Sequence, residues 1–309
     1  MSLLLIALTA ITLGMTGANN ASNSAGTVAG SKIMSYRNGI LIFVAGLTLG
    51  AVLEGGKLSG AIQGRALAGG LGTDSLQIIM GVTCAMILIA TAARLPLPIT
   101  QAIFGASIGS GLYLGIPLHL DNVIIVLVSW VLTPFLAAAV SLVLSKVLHR
   151  YTINSVGATV VIYGILTILA SLYTAYAFGA NTLGLIIGVI KDDLGWSVSL
   201  ATAVIATSLG GIIVGERVSR TVGEGVSGLG PPTAFASQVG GAFTVHMFTQ
   251  GGIPVSISHA IIGGVSGGGL AKGAKALSRE TAVKLIILWS TAPIFSLIMA
   301  WLLHAVIFV

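Results

Sequence analysis

Long uncharged apolar segments are the feature of this sequence that most constrains its fold. Most of them approach the roughly 20 residues that an α-helix needs to cross the hydrocarbon of a bilayer. Only 7% of the residues are charged and 55% are hydrophobic, which is not the composition of a soluble domain. The sequence therefore predicts an all-α polytopic membrane protein. The segments lie at about 2–30, 38–53, 76–93, 95–116, 122–147, 156–190, 197–214, 233–250, 253–271 and 282–308.

Uncharged polar residues interrupt the first apolar segment at membrane depth. The stretch Gly17–Gly30, GANNASNSAGTVAG, contains asparagines, serines and a threonine. Each unpaired amide or hydroxyl costs about several kcal/mol in hydrocarbon, so the stretch must line a cavity or pack against protein. The stretch Gly179–Gly188, GANTLGLIIG, repeats the pattern in the second half. We expect helix breaks at Gly17 and Gly179, and two such breaks indicate the substrate site of a transporter.

The two halves of the chain match each other at three places. Besides the GAN stretches, LGAVLEGGKLS at 49–59 matches LGGIIVGERVS at 209–219. The segment LPLPITQAIFGASIGSGL at 95–112 matches IPVSISHAIIGGVSGGGL at 253–270. The offset between matching positions stays at roughly 160 residues, which indicates an internal duplication.

We divide the chain into a first repeat at 1–150 and a second repeat at 151–309. Each repeat should contain about five to six transmembrane or re-entrant helices. If each repeat crosses the membrane five times, the second repeat enters from the other side, so the repeats should be inverted. With the N-terminus outside, all but three of the 14 Lys and Arg residues lie in inside loops. We therefore expect a multi-pass protein of the cell (plasma) membrane with both termini outside.

The segments at 95–116 and 253–271 are candidates for re-entrant helices. Each opens with a proline-containing turn and ends in several glycines. Proline disfavours a helical conformation in the residue before it, so the residues that follow should begin a new helix. Thr100, Ser256 and Ser258 lie where a hydroxyl could cap that helix. An ordinary glycine-rich packing helix is the alternative.

Amide and imidazole side chains provide the candidate ligands. Amides offer both hydrogen-bond donors and acceptors, so they can bind an oxyanion or a small cation, although hydrogen bonding between helices is the alternative. His259 could donate to an anion or carry a proton, whereas Gln101 at the matching position cannot carry one. A histidine in the position of His246 more often packs between helices than binds a ligand. Glu54 lies at the end of a segment, where an ion pair with a nearby residue costs little free energy. The amide candidates are Asn19, Asn20, Asn23 and Asn181.

Several functional classes find no support in the sequence. It contains no P-loop and no HExxH or GxSxG motif, so we expect neither an ATP-driven pump nor an enzyme. The basic residues are scattered singly, without the stripe that a nucleic-acid partner requires. We expect no cofactor.

The segment GANNASNSAGTVAGSKIMSYRNGILIFVAGLTLGAVLEGGKLSGAI closely resembles the signature of the inorganic phosphate transporter family, which includes phosphate permeases and bacterial sulfate permeases. The resemblance implies two inverted copies of this unit around a central anion site, with cation sites beside it. Asn20 and Thr182 replace the family's aspartates, so no carboxylate remains in either motif. Their loss favours a proton, or a differently placed cation, over sodium held by aspartates. The positions that match the family's motifs are Gly17, Ala18, Asn19, Asn23, Gly179, Ala180, Asn181, Pro254, Ser256, Ser258 and His259.

The resemblance and the residues together predict a secondary active transporter, or permease, for inorganic phosphate that works by alternating access. A sulfate permease of the same family is the alternative, and a passive channel for small solutes is a further one. The coupling ion is Na⁺, with possible sites near Asn19, Asn23 and Asn181, or H⁺. The partners are phosphate or sulfate, the lipid bilayer and, as a homodimer, a second copy of the chain. The predicted substrate-binding residues are Asn19, Asn20, Asn23, Thr100, Asn181, Thr182, Ser256, Ser258 and His259.

Overall fold

A computed structural model describes residues 2–93, 97–150, 155–216, 230–273 and 279–307, and twelve complete α-helices lie within them. Short 3₁₀ turns at Ala21–Asn23 and Gly55–Leu58 and a π-helical turn at Gly179–Leu183 connect some of them. The helices are α1 (Leu3–Asn20), α2 (Ala25–Gly30), α3 (Tyr36–Glu54), α4 (Thr73–Ala92), α5 (Ile99–Tyr113), α6 (Leu120–Arg150), α7 (Val156–Phe178), α8 (Gly184–Leu194), α9 (Trp196–Ile213), α10 (Pro231–Gln250), α11 (Ile257–Ala271) and α12 (Arg279–Ile307).

Seven helical stretches among the described residues are long and apolar enough to cross a membrane. The prediction of an all-α polytopic membrane protein is therefore confirmed. Helices α5 and α11 have 15 residues each, which corresponds to about 22 Å and falls short of the roughly 30 Å of bilayer hydrocarbon. This length is consistent with re-entrant helices, and their re-entrance stays a prediction.

The outward faces of the long helices are apolar. On α6, for example, Ile124, Val131 and Phe135 are exposed, with Phe135 at 68%. Apolar side chains exposed on a membrane-spanning helix face lipid, because contact with hydrocarbon carries no solvation penalty for them. The buried faces carry the serines and threonines, whose hydroxyls commonly donate to the carbonyl one turn earlier, as Thr16 does to Thr12 at 2.7 Å. These back-bonds satisfy the hydroxyls without water.

The two halves pack on each other through two equivalent contacts, each between one helix of the first half and one helix of the second. Helix α1 of the first half packs on α9 of the second, and α7 of the second packs on α3 of the first. A Cβ atom on Gly17 would overlap the backbone carbonyl of Thr207, and one on Gly179 would overlap that of Leu47. Because Gly17 matches Gly179 in the duplicated sequence, the same glycine makes the same close approach in both halves.

A second pair of equivalent contacts between the halves joins α5 to α12 and α6 to α11. A Cβ atom on Gly105 would overlap the carbonyl of Pro293, and one on Gly263 would overlap that of Pro134. Both prolines lie inside their long helices. This pairing is consistent with two inverted repeats, whereas the opposite orientation of the halves in the membrane and their division at residue 150 stay predictions.

The helix breaks differ from the expectation. Helix α1 continues through Gly17 to Asn20, and the break lies at Ala21–Ser24, because Gly17 serves the contact with α9. In the second half the chain does not break at Gly179, but widens into the π-helical turn and continues as α8. The predicted break at Gly17 is thus wrong by a few residues, and the predicted break at Gly179 is a deformed helical turn.

Replacement of Gly17 by alanine should destabilise the protein by about 1–3 kcal/mol, because the added methyl group must displace the Thr207 backbone. Gly81 in α4 is the matched control, since the nearest atom to its Cβ position is a Leu8 methyl at 3.9 Å. We expect a lower thermal unfolding midpoint in detergent for G17A than for G81A. Equal midpoints would contradict the close approach of α1 and α9.

Candidate functional site

Polar side chains donate hydrogen bonds to carbonyl groups near the end of α1. Asn20 Nδ2 donates to the Thr16 carbonyl at 3.0 Å, and the Ser22 hydroxyl donates to the Asn19 carbonyl at 2.8 Å. The last carbonyls of a helix have no partner within it, so these side chains take the place that water has in a soluble protein. Asn19, Asn20 and Asn23 are all buried. The predicted polar stretch therefore faces protein and not lipid.

Asn23 joins the two halves of the protein. Its Nδ2 donates to Asn20 Oδ1 at 3.2 Å and lies 3.5 Å from Ser258 Oγ, at the start of α11. Its backbone carbonyl accepts a hydrogen bond from Gln238 Nε2 of α10 at 2.8 Å. The structure thus brings the predicted residues Asn20, Asn23 and Ser258 together.

Gln238 and its neighbours extend this polar cluster, and the sequence analysis missed them. The amide oxygen of Gln238 accepts a hydrogen bond from Thr174 of α7. One turn earlier in α7, the Ser171 carbonyl accepts from the Ser24 hydroxyl at 2.8 Å. Gln238 is an uncharged amide inside an apolar segment, so the criterion that selected the asparagines would also have selected it.

The N-terminus of α11 carries the hydroxyl–histidine motif. Ser256 is its N-cap, and Ser256 Oγ accepts a hydrogen bond from the His259 backbone N–H at 3.4 Å. The predicted cap at Ser256 is therefore confirmed. Ser258 lies inside the first turn of the helix, where its hydroxyl faces Asn23 rather than capping.

The ring of His259 is buried with unsatisfied nitrogens. It packs against Trp289 of α12 with ring centroids 3.8 Å apart, and its exposed fraction is 2%. Among the described residues, neither ring nitrogen has a hydrogen-bond partner of ordinary length. A buried unpaired polar atom costs about 1–3 kcal/mol, so such atoms mark a place where a ligand or water would bind.

The matching helix of the first half also begins with unsatisfied polar side chains. Helix α5 begins at Ile99 after Pro98, which offers no side-chain cap. The prediction that Thr100 caps this helix is wrong, because the N-cap position is Pro98 and Thr100 lies two residues further along the chain, inside the first turn. Thr100 Oγ1 and Gln101 Oε1 are buried without a partner among the described residues. No hydrogen bond described by the structure joins Thr100 to the Asn20–Asn23–Ser258 cluster.

Asn181 is fully engaged by the protein. Its Nδ2 donates to Thr249 Oγ1 at 2.9 Å and to the Ile253 carbonyl at 3.1 Å, and its Oδ1 accepts from the Val255 N–H at 3.0 Å. These bonds hold the turn that leads into α11, and Trp130 Nε1 adds a bond to the Pro254 carbonyl at 2.9 Å. In this conformation Asn181 positions Ser256 and Ser258.

The other predictions for this region stay open. The observed bonds of Asn181 match the alternative of hydrogen bonding between helices, and its role as a ligand stays a prediction. Thr182 is buried in the same π-helical turn. Within the described part of the chain, no group of three or more His, Cys, Asp and Glu side chains could hold a metal ion. Sodium near Asn19, Asn23 and Asn181 also stays a prediction.

A second polar cluster, which we call the Glu54 cluster, lies at the ends of α3 and α10. Glu54 Oε1 accepts from Lys57 Nζ at 2.9 Å, and Glu54 Oε2 accepts from Gln250 Nε2 at 3.0 Å. His246 Nε2 lies 3.0 Å from Glu54 Oε2, and His246 Nδ1 lies 2.8 Å from the Tyr173 hydroxyl. The expected ion pair at Glu54 is present, but His246 does more than pack. A cavity of about 340 Å³ is lined by Glu54, Tyr173, Phe243, His246, Met247 and Gln250.

Comparison with known proteins gives consistent matches over almost the whole chain. A family model described as the phosphate transporter family matches residues 16–300. A protein of Methanocaldococcus jannaschii named as a phosphate permease is 26% identical over 294 residues, which cover 94% of this chain and 93% of the relative. The sulfate permease CysP of Bacillus subtilis is 25% identical over 295 residues, covering 93% and 82%. A solved structure entitled "The sodium-dependent phosphate transporter" superposes with a TM-score of 0.83 at 22% identity, covering 98% of this chain and 99% of that chain.

Replacement of Asn181 by alanine should lower the stability of the protein, because the Val255 N–H, the Ile253 carbonyl and the Thr249 hydroxyl all lose their partner. Each buried group left unpaired costs about 1–3 kcal/mol. Thr182→Val is the matched control, since it changes a buried side chain in the same turn without removing a hydrogen bond that the structure describes. Thermal unfolding in detergent measures both variants, and a midpoint for N181A no lower than that of T182V would refute the positioning role.

Proposed function

Because the chain belongs to the phosphate transporter family, we propose that it is a secondary active transporter for inorganic phosphate, coupled to a cation or a proton. Both the family and the matching solved structure are transporters, so no enzymatic activity is assigned to the chain. The observation that carries the proposal is the meeting of Asn23 from the first half with Ser258 from the second, inside the protein. A substrate bound there would contact both halves at once.

Neutral donors would bind the anion at this junction. The first N–H groups of α11 lie beside Ser258, and a helix N-terminus carries a partial positive charge that favours an anion. The amides of Asn20 and Asn23 and the hydroxyl of Ser258 add directed donors. His259 supplies ring nitrogens that the described part of the protein leaves unsatisfied. Thr100 would donate a hydrogen bond to the anion from the first half.

Alternating access would follow from movement of the two halves against each other around this junction. The halves touch through glycine contacts at which backbones meet directly. A small rotation of one half against the other would therefore change the access path to the site without rebuilding the side-chain packing. The site would open to one side of the membrane at a time, as in transporters built from repeats.

Sulfate is the second candidate substrate, and one observation favours it. Asn20 and Thr182 stand where the resemblance implies aspartates, so these two positions add no negative charge that would repel a dianion. The sulfate permease of Bacillus subtilis aligns over nearly the whole chain, which supports sulfate as the alternative. The two anions differ in that phosphate near neutral pH still carries a proton that it can donate, whereas sulfate carries none.

Purified protein in proteoliposomes should accumulate radiolabelled phosphate above its external concentration when a proton or sodium gradient is imposed. Sulfate measured in the same way, and as a competitor, ranks the two substrates. A passive channel would only equilibrate the label, and uptake that never exceeds equilibrium under either gradient would overturn the proposal.

Replacement of Ser258 by alanine should weaken the apparent affinity for the anion by about 10–100-fold, because a hydrogen bond to a charged group contributes about 1.5–3 kcal/mol. Ser266→Ala is the control, since Ser266 lies on the same helix and its hydroxyl donates to the Ile262 carbonyl one turn earlier. Concentration dependence of uptake measures both variants. Equal apparent affinities for S258A and S266A would remove Ser258 from the site.

A further inference from the structure

The Glu54 cluster places an imidazole beside a carboxylate. His246 lies between a carboxylate and a phenol, with Nε2 3.0 Å from Glu54 Oε2 and Nδ1 2.8 Å from the Tyr173 hydroxyl. The approach to Glu54 lacks the alignment of a good hydrogen bond, so it contributes little while the ring is neutral. Once the ring is protonated, the same distance becomes a charge pair.

A proton can reach this pair from solvent. The side chains of His246 and Glu54 are 27% and 18% exposed, and they line the cavity of about 340 Å³ at the ends of α3 and α10. His259, the other candidate proton carrier, is 2% exposed and has no carboxylate partner in the described residues. A proton on His259 would place an uncompensated charge in the protein interior, which is costly.

The duplicated sequence acts as an internal control for the Glu54 cluster. Where the halves are aligned on their GAN, LG and proline-containing motifs, five of the cluster's residues correspond to residues without a polar side chain, whereas Lys57 corresponds to Arg217. The fold thus accepts apolar residues at these places, and packing alone does not require a histidine, a glutamate or tyrosines there. The counterparts of Tyr173, Tyr176, His246, Gln250 and Glu54 are Ile11, Gly14, Leu88, Ala92 and Val214.

Helix α10 connects the Glu54 cluster to the candidate anion site. Thr249, three residues after His246, accepts the bond from Asn181, which holds the turn before α11. Two turns before His246, Gln238 donates to the Asn23 carbonyl. A change in the position of α10 that follows protonation of His246 would therefore reach both halves of the anion site through direct hydrogen bonds.

We propose that His246 and Glu54 form the proton-binding site that couples this transporter to the proton gradient. The proposal rests on the proposed function, since it assigns the coupling ion of that same transport cycle. In the neutral ring, Nδ1 accepts from Tyr173 and Nε2–H faces Glu54, a tautomer that follows from these partners. A proton from water adds to the Nδ1 lone pair, the Tyr173 hydroxyl rotates to accept it, and the same proton returns to water when the ring is released.

The charge balance gives the direction of the pH dependence. With the ring neutral, Glu54 and Lys57 cancel, and protonation of His246 leaves the cluster with one net positive charge. That charge favours a bound anion, and by linkage a bound anion favours the proton. Anion exchange should therefore increase as the pH falls from about 8 to about 6.

The titratable groups near His246 include two tyrosines and two basic residues. The Tyr173 and Tyr176 rings of α7 pack against it, and Lys57 reaches it only through Glu54. Arg65 bonds the Gly251 and Gly252 carbonyls just beyond α10. Within the described residues, no ion pair or hydrogen bond links His246 to α6 or α11.

The test compares His246→Gln, Glu54→Gln and His259→Gln with His119→Gln, which alters an exposed histidine at the start of α6. Each full-length variant is reconstituted in proteoliposomes, and two quantities are measured with radiolabelled phosphate and sulfate. One is exchange of label across the membrane without any gradient, between about pH 6 and about pH 8. The other is accumulation driven by an imposed proton gradient, with a sodium gradient as the parallel arm.

We expect the wild-type protein and H119Q to accumulate the anion on a proton gradient and to exchange it about tenfold faster at the acidic end. H246Q and E54Q should lose accumulation at least about tenfold, with exchange that no longer depends on pH. Exchange that remains measurable shows that these variants are folded.

Other outcomes overturn the proposal. H246Q that accumulates the anion as the wild-type protein does would remove His246 from coupling, and loss of pH dependence in H259Q alone would assign the proton to His259. Accumulation on sodium alone would reject the proton site while leaving the proposed transporter in place. If the wild-type protein exchanges neither phosphate nor sulfate, the proposed function itself fails, and the coupling site fails with it.

Discussion

Hydrocarbon supplies no hydrogen bonds, and this one constraint organises the structure. The polar stretch after Gly17 lies within an apolar sequence, and all its predicted asparagines are buried inside the protein. The amides of Asn20 and Asn23 bond to a helix carbonyl, to each other and to Ser258 of the other half. The polar atoms left unsatisfied among the described residues include the Thr100 hydroxyl and the His259 ring, which lie in the first turns of matching helices of the two halves. In the proposed transporter these two side chains would bind the oxyanion.

Glycine determines how the halves meet. Gly17 and Gly179 allow α1 and α7 to approach the backbone of a helix from the other half, and Gly105 and Gly263 do the same against the carbonyls of two prolines. Two of the candidate amides lie where the helices deform. Asn23 is in the 3₁₀ turn at Ala21–Asn23, and Asn181 is in the π-helical turn at Gly179–Leu183.

The two halves share a framework but differ in chemistry. Asn181 uses all its hydrogen-bonding groups to hold the turn before α11, whereas Asn20 and Asn23 meet Ser258 across the junction. Gln101 occupies the position that matches His259, and Glu54 and His246 correspond to Val214 and Leu88. A duplicated framework with asymmetric polar residues is suited to a cycle in which a substrate and a coupling ion take different places.

The sequence by itself determined the class of fold, the match between the two halves, the polar stretches inside apolar segments and the family, because apolar length, repeated motifs and uncharged polar residues in apolar segments are local properties of the chain. It also identified Asn20, Asn23 and Ser258, which the structure brings together. Only the tertiary structure decided that α1 runs past Gly17, that Asn181 is occupied by protein, and that His246 meets Glu54 and Tyr173. Those outcomes depend on contacts between residues some 70 to 190 positions apart, as with Gly17 and Thr207 or His246 and Glu54, and no local pattern specifies such pairs.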